Sequence, residues 1–123
     1  MKSNPDPATL FFDYDGTLHD CIRIYAPAFR KVYREMVAAG IAQPRQFSAP
    51  ELCRWLGLSV PDMWNSFMPD LAQTLKDHYS TRIGEEMLQL ILDSSAALYP
   101  GTEKTLDTLR NHGYQMVFLS NCL

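Results

Sequence analysis

Apolar and polar positions along the chain alternate between two rhythms. Leu10-Phe11-Phe12 is a short apolar run that ends in Asp13, and Gln115-Met116-Val117-Phe118-Leu119 is a second that ends in Ser120-Asn121; both have the length and composition of strands. Between them the apolar residues step by three and four. Ile22, Tyr25, Phe29, Val32, Tyr33, Met36 and Val37 predict a helix from about Asp20 to Ala39, stopped near Gly40, with Pro27 in its first turns. Ser48 followed by Glu51 is a capping-box pattern that opens a short helix ending at Gly57, and Ser59 with Asp62 repeats the logic for a third helix broken by Pro69. Leu71, Leu75, Tyr79, Ile83, Met87 and Ile91 step by four and predict a long helix from about Asp70 to Leu92. Tyr99-Pro100-Gly101 then opens a helix over about Thr102 to His112, closed by Gly113.

The first strand carries the candidate chemistry. Asp13-Tyr14-Asp15-Gly16-Thr17 sets two carboxylates two residues apart. In extended chain such side chains leave on one face about 6.5 to 7 Å apart, room for a tetrahedral phosphoryl group between them. Two other readings fit the same residues. Asp15-Gly16 is a favoured hairpin dipeptide, and D-x-D also occurs as a glycosyltransferase metal site, although that has no need of Gly16-Thr17 directly behind it.

Composition narrows the partners. The 123 residues are 46% apolar and 20% charged, as in an ordinary globular domain, and the net charge of −3 with no Lys/Arg run leaves no electrostatic footprint for nucleic acid. No stretch approaches the length of a membrane span, and the segment after Met1 lacks a signal-like apolar run, so a cytoplasmic protein without membrane partners is expected. Cys21, Cys53 and Cys122 are odd in number and scattered, which suits reduced thiols. His19, His78 and His112 show no ligand spacing, and only His19 lies near the acidic pair.

An apolar strand followed by D-x-D-G-T resembles the first motif of the haloacid dehalogenase (HAD) superfamily, and the strand ending in Ser120-Asn121 resembles its second. The helical run between them resembles the C1-type cap of phosphoglycolate phosphatase-like and β-phosphoglucomutase-like members. The resemblance covers nearly the whole chain. It implies an α/β fold: a partial Rossmann-like parallel core of two strands, residues 1–19 and 94–123, with a four-helix cap inserted at residues 20–93. It further implies Asp13 as nucleophile, Asp15 as general acid/base, and Gly16, Thr17, Ser120 and Asn121 as phosphate-binding residues. Mg²⁺ would be held by Asp13 and the backbone carbonyl of Asp15, and Arg54 and Trp55 would read the substrate.

The implied activity is Mg²⁺-dependent hydrolysis of a small phosphorylated metabolite through an aspartyl phosphate, with a mutase as a subclass. The family's third-motif Lys and fourth-motif acidic pair have no counterpart: Lys104 precedes the second motif, and no acidic residue follows Ser120. The expectation is therefore the N-terminal part of such an enzyme, inactive alone and prone to self-association through an incomplete sheet. The alternative is a non-catalytic binding or assembly protein that keeps the cap and half the core.

Overall fold

The computed structural model describes residues 8–120. Asn121 and Cys122 lie outside them. The described residues form two parallel strands and five helices, in the order β1 (Thr9–Asp13), α1 (Ile22–Ala38), α2 (Ala49–Leu56), α3 (Val60–Phe67), α4 (Gln73–Leu92), α5 (Thr102–Asn111) and β2 (Gln115–Leu119). They divide into two compact units: one holds the residues up to Cys21 together with those from Ala97 onward, and the other spans Ile22–Ala96.

In the α/β unit β1 pairs with β2 in parallel, with Thr9 opposite Gln115 and Asp13 opposite Leu119. This pairing disposes of the hairpin reading, which requires an antiparallel partner immediately after Asp15-Gly16. Phe12 stacks on Phe118 across the pair, ring centroids 5.9 Å apart. Coverage of the sheet is thin. α5 has no fully buried residue, its apolar Leu106 and Leu109 are only half-buried, and Phe11, Phe118 and Leu119 are 67%, 50% and 56% exposed. Parallel strands are ordinarily buried on both faces, so this sheet carries an apolar surface that its own unit does not cover.

The helical unit holds most of the buried apolar surface. α1 packs against α2 and α4 through Phe29, Val32, Tyr33 and Met36. Phe29 lies at the centre of an aromatic cluster, with Phe47, Trp55 and Phe67 at 5.2, 5.4 and 5.3 Å between ring centroids. The buried indoles are satisfied: Trp55 Nε1 donates to Ser66 Oγ at 3.3 Å and Trp64 Nε1 to Ser80 Oγ at 2.7 Å. Ser48 Oγ accepts from the Glu51 N–H and Ser59 Oγ from the Asp62 N–H, so both caps form as the sequence indicates. Glu51 does not complete a reciprocal capping box; its carboxylate pairs with Arg45.

The elements end close to their expected bounds, with two informative shifts. Pro27 lies in the second turn of α1, where its missing N–H removes a helical hydrogen bond, yet the helix continues because its apolar stripe is buried on both sides of the proline. The stripe of α4 fades at its C-terminal end: Tyr79 and Ile83 are buried, whereas Leu88, Ile91 and Leu92 are exposed.

One ion-pair network joins α1 to α4. Arg82 donates to both carboxylate oxygens of Glu35, at 2.9 and 3.1 Å, to Glu86 at 2.7 Å and to Glu85; Lys31 reaches Glu86 at 2.6 Å. Hydrogen bonding to Arg82 holds the Glu35 carboxyl below its usual value, and hydrogen bonding to Lys31, then Arg82, does the same for Glu86. A depressed carboxyl pKa contributes stability that is fully present above the unfolded value and is lost as pH falls through the folded one. The thermal stability of the wild-type chain should therefore fall as pH is lowered through the ordinary carboxylate range and below it, and Arg82→Met should flatten that acid limb. Melting temperatures by circular dichroism across neutral and acid pH check this; an identical acid limb in the variant would contradict it.

From the exposed faces of β1 and β2 we propose that the 123-residue chain self-associates, since uncovered apolar strands recruit further strands. Light scattering should show species larger than a monomer at micromolar concentration, and hydrogen exchange should find weak protection at Phe11 and Val117 unless the chains associate. A monomer with strong protection at both positions contradicts the proposal.

Candidate functional site

The parallel register places the two sequence motifs at one end of one sheet. Asp13 is the last residue of β1 and lies opposite Leu119, the last residue of β2, so the loop after Asp13 and Ser120 stand at adjacent strand ends. The carboxyl ends of parallel strands are where open α/β sheets bind ligands.

The loop from Tyr14 to His19 is tied to a single acceptor. The Tyr14 carbonyl receives the N–H groups of Thr17, Leu18 and His19 at 3.3, 2.9 and 2.9 Å, and Gly16 N–H donates to the His19 carbonyl at 3.0 Å. Gly16 has φ of 76°, in the left-handed region that glycine occupies without cost, and a side chain there would meet open space. Its identity is thus set by backbone conformation. The far side of the loop is pinned by Asp20 N–H to the Ala97 carbonyl and Tyr99 N–H to the Leu18 carbonyl, both 2.9 Å.

The two carboxylates occupy different surroundings. Asp13 is exposed; its Oδ1 accepts the Tyr14 N–H at 2.9 Å, and its Oδ2 lies 3.5 Å from Thr17 Oγ1. The strand ends at Asp13, so the loop, not extended chain, positions Asp15. Asp15 Oδ1 lies 2.9 Å from His19 Nδ1, and the Tyr14 ring stacks on the imidazole at 5.4 Å. His19 is buried, and its Nε2 has no hydrogen-bond partner among the described residues. Burial, then the negative charge of Asp15, pushes the Cys21 thiol up, which leaves it a poor nucleophile.

The structure brings Asp13, Asp15, Gly16, Thr17 and Ser120 to this sheet end; Asn121 lies outside the described residues. Arg54 and Trp55 belong to the helical unit. Arg54 is exposed on α2, whereas Trp55 is packed among Phe29, Phe47 and Phe67 with its N–H satisfied. The Asp15–His19 contact is the feature that motif reading passes over. Its signal in the sequence was the four-residue spacing from acid to imidazole.

Among the described residues no three His, Cys, Asp or Glu side chains stand together as a metal site. Asp13 and the loop backbone offer oxygen donors. The Asp15 carbonyl accepts no hydrogen bond among the described residues, and Asp13 retains lone pairs on both carboxylate oxygens. Such a partial oxygen shell suits Mg²⁺, which keeps several waters and takes one or two carboxylates plus substrate phosphate.

Comparison with known proteins converges on one family. Similar solved structures include a haloacid dehalogenase-like family hydrolase of Streptococcus pneumoniae (TM-score 0.71, 19% identity, 94% of this chain and 50% of that one). A predicted phosphoglycolate phosphatase of Haemophilus somnus gives TM-score 0.69 at 19% identity over 97% of this chain and 53% of that one. A HAD hydrolase of family IA, variant 3, from Entamoeba histolytica gives 0.63 at 14% identity over 95% and 50%. This chain thus spans about half the length of these structures. Among curated proteins none matches. Residues 7–121 match the family model of the haloacid dehalogenase-like hydrolases, and the chain, with both motifs at one sheet end, belongs to that family.

Proposed function

We propose that this chain carries the nucleophile and proton-transfer half of a Mg²⁺-dependent phosphohydrolase acting on a small phosphorylated metabolite in the cytoplasm. The observation that carries the reading is the register of β1 against β2, which sets Asp13 beside the segment opening at Ser120. Asp13, exposed and without a cationic partner among the described residues, is free to attack phosphorus in line and form an aspartyl phosphate. Asp15, held by His19, is the proton carrier: it protonates the leaving oxygen and later takes a proton from the hydrolytic water. His19 restricts the carboxyl to one orientation, which suits a group that must deliver a proton along a fixed line.

Gly16 admits the left-handed turn that closes the loop, and the Thr17 and Ser120 hydroxyls, with Asn121, would donate to phosphoryl oxygens. The Asp13 carboxylate and the Asp15 carbonyl would hold Mg²⁺, whose chemistry when bound is to neutralise phosphoryl charge. Family membership and the similarity to a phosphoglycolate phosphatase support phosphoryl chemistry over the glycosyltransferase reading. The alternative reading is a binding or assembly protein that keeps the helical unit and the strand pair without catalysis.

The test separates the two. Residues 1–123 alone should hydrolyse p-nitrophenyl phosphate negligibly, because loss of even one preorganised charge partner typically costs about 10²- to 10³-fold. The full product of the locus, where it supplies the later motifs, should hydrolyse it with Mg²⁺ and form an acyl phosphate that borohydride traps at Asp13. Asp13→Asn should abolish both, and Asp15→Asn should slow formation and breakdown alike. Undiminished turnover in the Asp13→Asn protein overturns the assignment, and a product with no phosphatase activity at all favours the non-catalytic reading.

A further inference from the structure

The helical unit contains a concavity of about 460 Å³ lined by Arg30, Tyr33, Arg34, Arg45, Gln46 and Phe47. Three of the 11 basic residues of a chain with net charge −3 face one hollow, and no acidic side chain is among those lining it. A merely solvated arginine face would leave these side chains unrestrained, yet two of them are fixed. Arg30 donates from Nε and Nη2 to the Phe47 carbonyl at 3.3 and 2.9 Å, and the guanidinium of Arg45 lies 4.5 Å from the Phe47 ring centroid with Glu51 as its ion-pair partner. Phe47 is itself buried, so both arginines are anchored to a fixed point of the core.

The third arginine completes the argument. Arg34 is exposed, has no hydrogen bond or ion pair among the described residues, and lies one helical turn from Arg30 on α1. Like charges at that spacing destabilise a helix, a cost that an anion between them reverses. Arg30 keeps its Nη1 donors unused, and Arg34 keeps all five of its N–H groups. The planar fork of guanidinium matches phosphate geometry bidentately, and the volume falls in the range of small-molecule sites. Tyr33 contributes ring surface only, since its hydroxyl is spent on the Gln43 carbonyl at 2.6 Å.

We infer that this hollow is a binding site for a small phosphate-bearing anion, held by Arg30, Arg34 and Arg45 over the Phe47 and Tyr33 rings. The site lies within the helical unit, and the inference stands whether or not the sheet end is catalytic.

Inorganic pyrophosphate, titrated into the ¹⁵N-labelled chain without divalent metal, is the probe. The arginine Nε–H resonances of Arg30, Arg34 and Arg45 should shift together and saturate in the sub-millimolar to millimolar range. Arg34→Glu should weaken binding by about tenfold or more, and Arg34→Gln by less. Arg110→Glu in α5 makes the same change in net charge at a residue that does not line the hollow and should leave the affinity within a factor of about two. Shifts that do not saturate, or an equal loss in the Arg34→Glu and Arg110→Glu chains, overturn the inference.

Discussion

The pairing of β1 with β2 is the constraint from which the candidate site follows. Five residues on each strand are matched, and the match brings Asp13 next to Leu119, residues more than a hundred positions apart in the chain. A register slip by one residue would turn every strand side chain to the opposite face, so the relation of Asp13 to Ser120 has no intermediate settings. Phe12 against Phe118 helps to hold it, as cross-strand aromatic pairs do. Yet the pair is short and its apolar faces are uncovered. Local geometry at the sheet end is therefore specified more sharply than the α/β unit is stabilised.

Stability is concentrated in the other unit. There the arginine and aromatic residues are not separate systems: Phe47 gives its ring to Phe29 and Tyr33, its carbonyl to Arg30 and its face to Arg45. Removing that ring would open the core and strip the aromatic face from Arg45, whereas the backbone carbonyl that holds Arg30 would remain. Burial also pushes the Tyr25 phenol up to about 12, which keeps it neutral throughout the physiological range.

Much of this was legible in the sequence because it is periodic. The four-residue step from Leu75 through Met87 marks α4, and Ser48 and Ser59 mark the starts of α2 and α3 through hydroxyls that bind N–H groups three residues on. The ends of the stripes were less legible: Ile91 continues the step but is exposed, since periodicity reports which face a residue occupies and not whether anything covers it. The acidic pair was legible by type and spacing. Its different surroundings were not, because the Asp15–His19 contact depends on three N–H groups converging on the Tyr14 carbonyl, a loop conformation with no repeating signature. Trp55 shows the limit from the other side: its type marks it as notable, but its packing against Phe29 and its hydrogen bond to Ser66 are tertiary contacts that no local pattern announces.

The chain leaves the α/β unit and returns to it through neighbouring backbone: Asp20 N–H meets the Ala97 carbonyl, and Tyr99 N–H meets that of Leu18. The 75 residues of Ile22–Ala96 therefore begin and end at nearly one point. A segment closed in this way behaves as a cassette, because its length enters the folding free energy of the α/β unit only through the slow logarithm of loop closure. Insertions, deletions or wholesale replacement between those two hydrogen bonds leave the strand register untouched. Diversity of recognition can accumulate in the helices while the geometry at Asp13 stays constant.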